Sequence, residues 1–202
     1  MMPPVSTKPP TASSSVWGWM PWALLFLISG IGRPGLGVLA GLLVAAYPTL
    51  VRAARGLSTK LPDWMTLAFF VIATSSTLIR GRQLLLFWKY SLVIVWILFA
   101  GMAWLSILFD APFTLQYGRE VTPPEYWQHP LFLRTSIVLA LVWAAIFTAN
   151  LIFVSILVGP VPPRPFALFL PTLAVVGGFV FTARYSAAVN RRAASAFPQA
   201  SL

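Results

Sequence analysis

LLLFWKYSLVIVWILFAGMAWLSILF, residues 84–109, and LRTSIVLALVWAAIFTANLIFVSILV, residues 133–158, decide the fold. Each run is long enough, as a helix, to cross roughly 30 Å of hydrocarbon. Lipid cannot hydrogen-bond to bare peptide groups, so a segment of this kind must satisfy its own backbone and coil into a helix. Lys89 is the only charge in the first run and sits near its start, where its side chain can snorkel back to the headgroups. The fold class is therefore all-α, a polytopic transmembrane helical bundle.

The rest of the chain agrees with that solvent. Of 202 residues, 58% are hydrophobic and only 9% are charged, with a mean hydropathy of +0.82, well outside the range of soluble domains. Fourteen Lys and Arg against 4 Asp and Glu give a net charge of +10. In a soluble protein that excess would point to nucleic acid. Here the cations fall at the ends of apolar runs, which suits anionic lipid headgroups and argues against a nucleic-acid partner. The absence of cysteine removes disulfides, thiolate metal sites and Cys nucleophiles from consideration.

Working outward from the two long runs, charge and Pro/Gly punctuation give six candidate spans: Trp17–Ile31, Pro34–Val51, Trp64–Ile79, Leu84–Phe109, Leu133–Val158 and Phe166–Ala183. The first two are parted only by Gly32 and Arg33, and a re-entrant hairpin there would lower the number of crossings to four. Residues 1–15 read as a disordered tail, 16–184 as the membrane domain and 185–202 as a basic C-terminal tail. With six crossings, Lys8, Arg52, Arg55, Lys60, Arg119, Arg134, Arg184, Arg191 and Arg192 share one side, and Arg33, Arg80, Arg82, Lys89 and Arg164 the other. The positive-inside rule then makes both termini cytoplasmic. Trp17, Trp19, Trp22, Trp64, Trp88, Tyr90, Tyr126 and Trp127 lie near proposed helix ends, as interfacial aromatic belts require, while Trp96 and Trp143 read as apolar bulk.

Between the fourth and fifth spans lies the interfacial loop DAPFTLQYGREVTPPEYWQHPLFLR, residues 110–134, which holds three of the four acids and the lone histidine. Thr122-Pro123-Pro124-Glu125 has the form of a capping box and predicts a short surface helix starting there. Arg119, Glu120, Glu125 and His129 offer a docking or proton-relay site, Glu125 and His129 falling at i and i+4 on one helix face. The plainer reading is a solvated loop anchored by Tyr126 and Trp127. His129 also raises axial ligation of a cofactor, but one histidine outside the spans makes no bis-His site; no cofactor is expected beyond contact with bound lipid or pigment.

Small residues repeat every fourth position at Gly37, Gly41 and Ala45, and again at Ala174, Gly178 and Thr182, which predicts close helix packing within this chain or with another. Asn150 is expected to bond across to a neighbouring helix. The span interiors otherwise offer only uncharged groups such as Thr74–Thr77, Thr148 and Ser155, a poor basis for ion-coupled transport. No phosphate-binding glycine loop, Ser-His-Asp set or HExxH motif occurs, so an enzyme is not expected.

From Arg82 onward the order of features resembles the intracellular septation protein A family of bacterial inner-membrane proteins. The resemblance rests on the basic, aromatic segment Arg82–Tyr90, a long span ending in Ser106 to Pro112, then Glu120-x-x-Pro123-x-x-x-Trp127 and Trp143-Ala144-x-x-Phe147-x-x-Asn150. It covers about a third of the chain. It implies five or six spans in a bacterial inner membrane and a non-enzymatic envelope protein that associates with other membrane components. An accessory subunit of a photosynthetic or respiratory complex is the alternative expectation, and a small-solute transporter the third.

Overall fold

The computed structural model describes residues 13–30, 33–56, 59–77, 82–157 and 166–196. Seven α-helices are present in these residues, with no strand: α1 (Ser13–Gly30), α2 (Pro34–Ala54), α3 (Leu61–Thr77), α4 (Arg82–Leu108), α5 (Phe113–Val121), α6 (Pro130–Leu157) and α7 (Phe166–Ala196). A single 3-10 turn, Pro124–Tyr126, stands between α5 and α6. Apart from Phe109, the described residues of all six apolar runs read from the sequence lie in helices. Four of these, α2, α4, α6 and α7, are long and apolar enough to cross a membrane. With 18 and 17 residues, α1 and α3 measure ~25–27 Å. The chain is thus an all-helical bundle of membrane-spanning character. Lys8 and the side chains of Trp17, Arg80, Arg82, Trp88, Lys89 and Arg164 lie outside the described residues.

Local chemistry sets the helix ends. Pro34 opens α2 at a position whose N–H would have no intrahelical partner. Pro130 begins α6, and His129 just before it caps the helix, its Nδ1 accepting the Leu131 N–H at 3.2 Å. The break between α4 and α5 is built on Ser106. Its hydroxyl donates to the Ala103 carbonyl at 2.8 Å and accepts the Phe113 N–H at 3.2 Å, while the Ala111 N–H donates to its carbonyl at 2.9 Å. Asp110 takes the left-handed backbone there, with φ +53°. Two boundaries differ from the sequence reading: α1 starts inside the expected tail, at Ser13, and α7 runs past Arg184 to Ala196, so most of the expected basic tail is helix.

The helices form two leaves. In the first, α1 packs on α2 and α2 on α3; in the second, α4 packs on α6 and α6 on α7. The leaves meet more lightly, through α3 against α4 and through rings. Helix α3 runs antiparallel to α2, with Phe70 beside Gly41 near the middle and Asp63 and Thr66 beside Pro48 and Ala45 near one end. Along α6, Trp104 of α4 bonds Thr148, Thr114 of α5 bonds the Ser136 carbonyl, and Gly118 faces Phe132. The short helix α5 therefore prolongs the line of α4 down the first turns of α6. On its other face α6 carries α7 antiparallel, with Asn150 Nδ2 3.4 Å from the Pro171 carbonyl and Trp143 Nε1 3.1 Å from Thr182 Oγ1.

Aromatic rings fill the centre. Trp19 stacks on Phe99 at 5.5 Å and meets Trp143 at 6.5 Å; Trp22 packs on Phe69, Phe70 and Phe99; and Phe147 touches Trp96, Phe99 and Trp143. Such pairs add ~0.5–1.5 kcal/mol each beyond area burial. Trp22 is thus a core residue and Trp19 packs half-buried against the core, where nearness to a helix end suggests belt anchors. At 4% exposure Trp22 is enclosed, because the aromatic face of α1 turns inward onto Phe69, Phe70 and Phe99. Trp64 and Tyr90 are exposed and stay where a belt residue should be, while Trp96 and Trp143 are buried.

Both small-residue stripes pack inside the chain. Gly37, Gly41 and Ala45 are buried, and a Cβ added at Gly41 would overlap the Phe70 ring. At Gly178 a Cβ would lie 2.8 Å from Ile146 Cδ1 and 3.0 Å from Trp143 Cη2, and Ala174 is half-buried one turn earlier. Close backbone approach replaces the hydrophobic drive that lipid does not supply.

Candidate functional site: an ionic cluster at one end of the bundle

The antiparallel run of α2 and α3 leaves the last turn of α2, the connection after it and the first turn of α3 at one end of the first leaf. Helix α5 lies against that same end. Arg52 comes from α2, Lys60 from the residue before α3, Asp63 from the first turn of α3, and Gln116, Tyr117 and Glu120 from successive turns of α5. Glu120 is bonded through both oxygens: Oε1 to Arg52 Nη2 at 3.1 Å and Oε2 to Lys60 Nζ at 2.8 Å. The Lys60 ammonium also stands 4.0 Å from the centre of the Tyr117 ring. Gln116 Oε1 accepts the Leu61 N–H at 2.7 Å, supplying a partner to a backbone donor at the start of α3.

Lys60 is the deepest member, with 5% of its side chain exposed against 32% for Glu120 and 25% for Arg52. A buried ammonium needs a carboxylate and a further donor-acceptor or π partner to offset its lost hydration, and Lys60 has both. Burial pushes the Asp63 carboxyl above the usual value of 3.8, working against the lowering influence of Lys60 and Arg52. The Tyr117 phenol is raised for the same first cause, reinforced by the negative charges of Asp63 and Glu120. Chemically the arrangement is a largely self-neutralising knot of two cations and two carboxyls. Its evident capacity is to tie elements together.

The other expected loop residues are dispersed. Arg119 lies over the Trp127 ring at 5.2 Å, and the Trp127 indole donates to the Thr122 carbonyl at 2.9 Å. Thr122 does not N-cap a helix, which corrects the capping-box reading. It closes α5 in extended backbone, and its N–H already donates to the Gly118 carbonyl, so Glu125 cannot take it. Pro124 moreover forces the residue before it out of the helical region; Pro123 has φ −56° and ψ 145° and cannot be a first helical residue. Only the 3-10 turn Pro124–Tyr126 follows. Glu125 and His129 therefore share no helix face, and both are exposed. Tyr126 accepts the His129 N–H at 3.0 Å on its carbonyl. Among the described residues no three His, Cys, Asp or Glu side chains converge as metal ligands.

Sequence reading found Glu120 but missed its partners. The charge count puts Arg52 and Lys60 on the same side as the loop, and Asp63 is the one acid outside it; opposite charges gathered on one side are the available signal. Of the uncharged groups inside the spans, Thr148 accepts the Trp104 indole at 2.9 Å, while the Ser76 and Thr77 hydroxyls donate to carbonyls of their own helix. A cleft of about 10 Å³ lined by Gly18, Pro21, Ala45, Pro48, Asp63 and Thr66 lies beside the ionic cluster, with room for about one water. No family model matches the chain, and neither a curated protein nor a solved structure matches it.

Proposed function

We propose that this chain is a six-span, non-enzymatic membrane protein of the septation protein A-like kind, working through helix–helix and lipid contacts in a bacterial inner membrane. The observation that carries this reading is how its polar chemistry is used. Among the described residues the Arg52 and Lys60 cations are bound by the Glu120 carboxylate, and the centre of the bundle is packed with rings.

The same cluster supports the span count. Arg52 closes α2 and Glu120 follows α4, and the two pair at 3.1 Å, so α2 and α4 end on one side. If both cross, α3 must cross back between them, and its 17 residues are enough for a span. With α1 also crossing, the termini lie with Arg52, Arg55, Lys60, Arg119, Arg134, Arg184, Arg191 and Arg192, and the positive-inside rule makes that side cytoplasmic. The chain lacks cysteine, so single cysteines at Arg33 and Arg55 report sidedness without background. Labelling of Arg33→Cys but not Arg55→Cys by an impermeant maleimide on intact cells is the expected result; the reverse pattern refutes the orientation.

A second reading, an accessory subunit of an energy-transducing complex, draws on α7. That helix packs on α6 and leaves Phe169, Leu173 and Val176 about half exposed at 59%, 49% and 51%, a surface for lipid or for a neighbouring subunit. Purification in a gentle detergent separates the two. Recovery as a lone monomer or homodimer supports the first reading, and a stoichiometric complex with cofactor-bearing subunits supports the second.

A further inference from the structure

Helix α5 belongs to the second leaf by sequence and packing, yet its polar side chains reach into the first. Gln116 holds the Leu61 N–H at 2.7 Å, Tyr117 lies under the Lys60 ammonium at 4.0 Å, and Glu120 grips Arg52 and Lys60 at 3.1 and 2.8 Å. Deeper in the bundle the leaves meet differently. There Trp19 and Trp22 of α1 lie on Phe99 of α4, and Trp19 also meets Trp143 and Phe179 across α6 and α7. Rings in offset contact can slide and tilt by small amounts at little cost, whereas a bidentate carboxylate between two cations tolerates little displacement. The connection of α5 to α4 is also suited to movement: a short non-helical link through Asp110, already in the left-handed region at φ +53°, and contacts with α4 that are few beside those between α4 and α6.

We propose that α5 is a clasp. Glu120, held by Arg52 and Lys60, keeps the two leaves shut at this end, and its release lets them part there while the ring contacts serve as the hinge. The device uses residues at a single level of the bundle, so one end opens and the other does not. Tyr117, its ring 4.0 Å from the Lys60 ammonium, stands beside the clasp.

Pulsed electron paramagnetic resonance on spin-labelled cysteine pairs, with the full chain in lipid nanodiscs, tests this. One pair, Ala54→Cys with Leu131→Cys, spans the leaves at the clasp end. The other, Leu36→Cys with Ile156→Cys, spans them at the far end; all four residues are exposed. In the otherwise unaltered chain both pairs should give one narrow distance distribution. Glu120→Gln should raise the longer-distance population of the clasp-end pair at least roughly tenfold, the ratio expected from losing one charge-assisted hydrogen bond, and leave the far-end pair unchanged. Glu125→Gln removes the same charge from an exposed site and should change neither pair. An unaltered clasp-end distribution in Glu120→Gln, or equal broadening of both pairs, overturns the proposal. Should Glu120→Gln not fold, Glu120→Asp keeps the charge one methylene short and must show a partial opening confined to the clasp end; a distribution like that of the unaltered chain, or broadening at both ends, overturns it equally.

Discussion

The Lys60 ammonium is 2.8 Å from Glu120, and this one pair joins the connection between α2 and α3 to a helix that follows α4. Lys60 is the deeper partner, so losing it leaves the Glu120 carboxylate to Arg52 alone. Lys60→Met should cost about 1–3 kcal/mol, and Arg52→Gln less, because the Arg52 side chain keeps 25% exposure. Reversible unfolding in mixed micelles measures both; equal losses, or a larger loss for Arg52→Gln, would refute this ranking.

The Asp63 carboxyl is held above 3.8 chiefly by burial, so the folded chain binds that proton more tightly than the unfolded one. Stability from this group is full below the unfolded value and is lost as pH rises through the window above 3.8. Asp63→Asn should remove that slope and leave the melting temperature at neutral pH unchanged or higher. Thermal unfolding followed across the acidic to neutral range checks this, and a lower melting temperature for the variant at neutral pH contradicts it.

Gly41 and Gly178 should respond unequally to enlargement. At Gly41 the obstacle is the body of the Phe70 ring, whereas at Gly178 the nearest atom is the movable Cδ1 of Ile146. Gly41→Ala should destabilise by about 1–3 kcal/mol and be partly rescued by Phe70→Leu. Gly178→Ala should cost less and be relieved by Ile146→Val. Melting temperatures of the two rescue pairs decide the matter, and absence of rescue at Gly41 would mean that the ring is not the obstacle.

Asp110 bears a side chain in the left-handed region, φ +53°. Asp110→Gly should be neutral or mildly stabilising, and Asp110→Val destabilising by about 1 kcal/mol or more, since a β-branched residue resists that backbone. If valine is tolerated as well as glycine, the turn does not impose this conformation.

Removing the acceptor for the Trp143 indole by Thr182→Val should cost about 0.5–1.5 kcal/mol, the usual range for a hydrogen bond between membrane helices. The change is nearly isosteric, so the loss isolates the 3.1 Å bond. Unfolding of the valine variant alongside Thr182→Ser, which retains the hydroxyl, provides the comparison.

The helices were legible because lipid permits few alternatives. A run such as Leu133–Val158 has one way to satisfy its backbone; Gly41 lies against Phe70, Gly178 against Ile146 and Trp143, and Asn150 beside the Pro171 carbonyl. The loop was less legible because its structure depends on contacts distant in sequence. Helix α5 forms where Thr114 and Gly118 can lie along α6, and no local signal announces that groove. The apparent capping box failed for a local reason that could have been seen, the prohibition that Pro124 places on Pro123. Trp19 and Trp22 misled because nearness to a helix end does not distinguish an indole that faces headgroups from one turned toward Phe99.

The approach of Trp19 to Trp143, with ring centres 6.5 Å apart and planes 28° from parallel, gives the protein an intrinsic optical gauge. Two indoles so close and so oriented couple their electronic transitions. Near-ultraviolet circular dichroism, which depends on fixed side-chain packing, therefore carries a signature of the contact between α1 and α6. A change in that band would register slippage between the two halves of the molecule in native vesicles, with no probe attached.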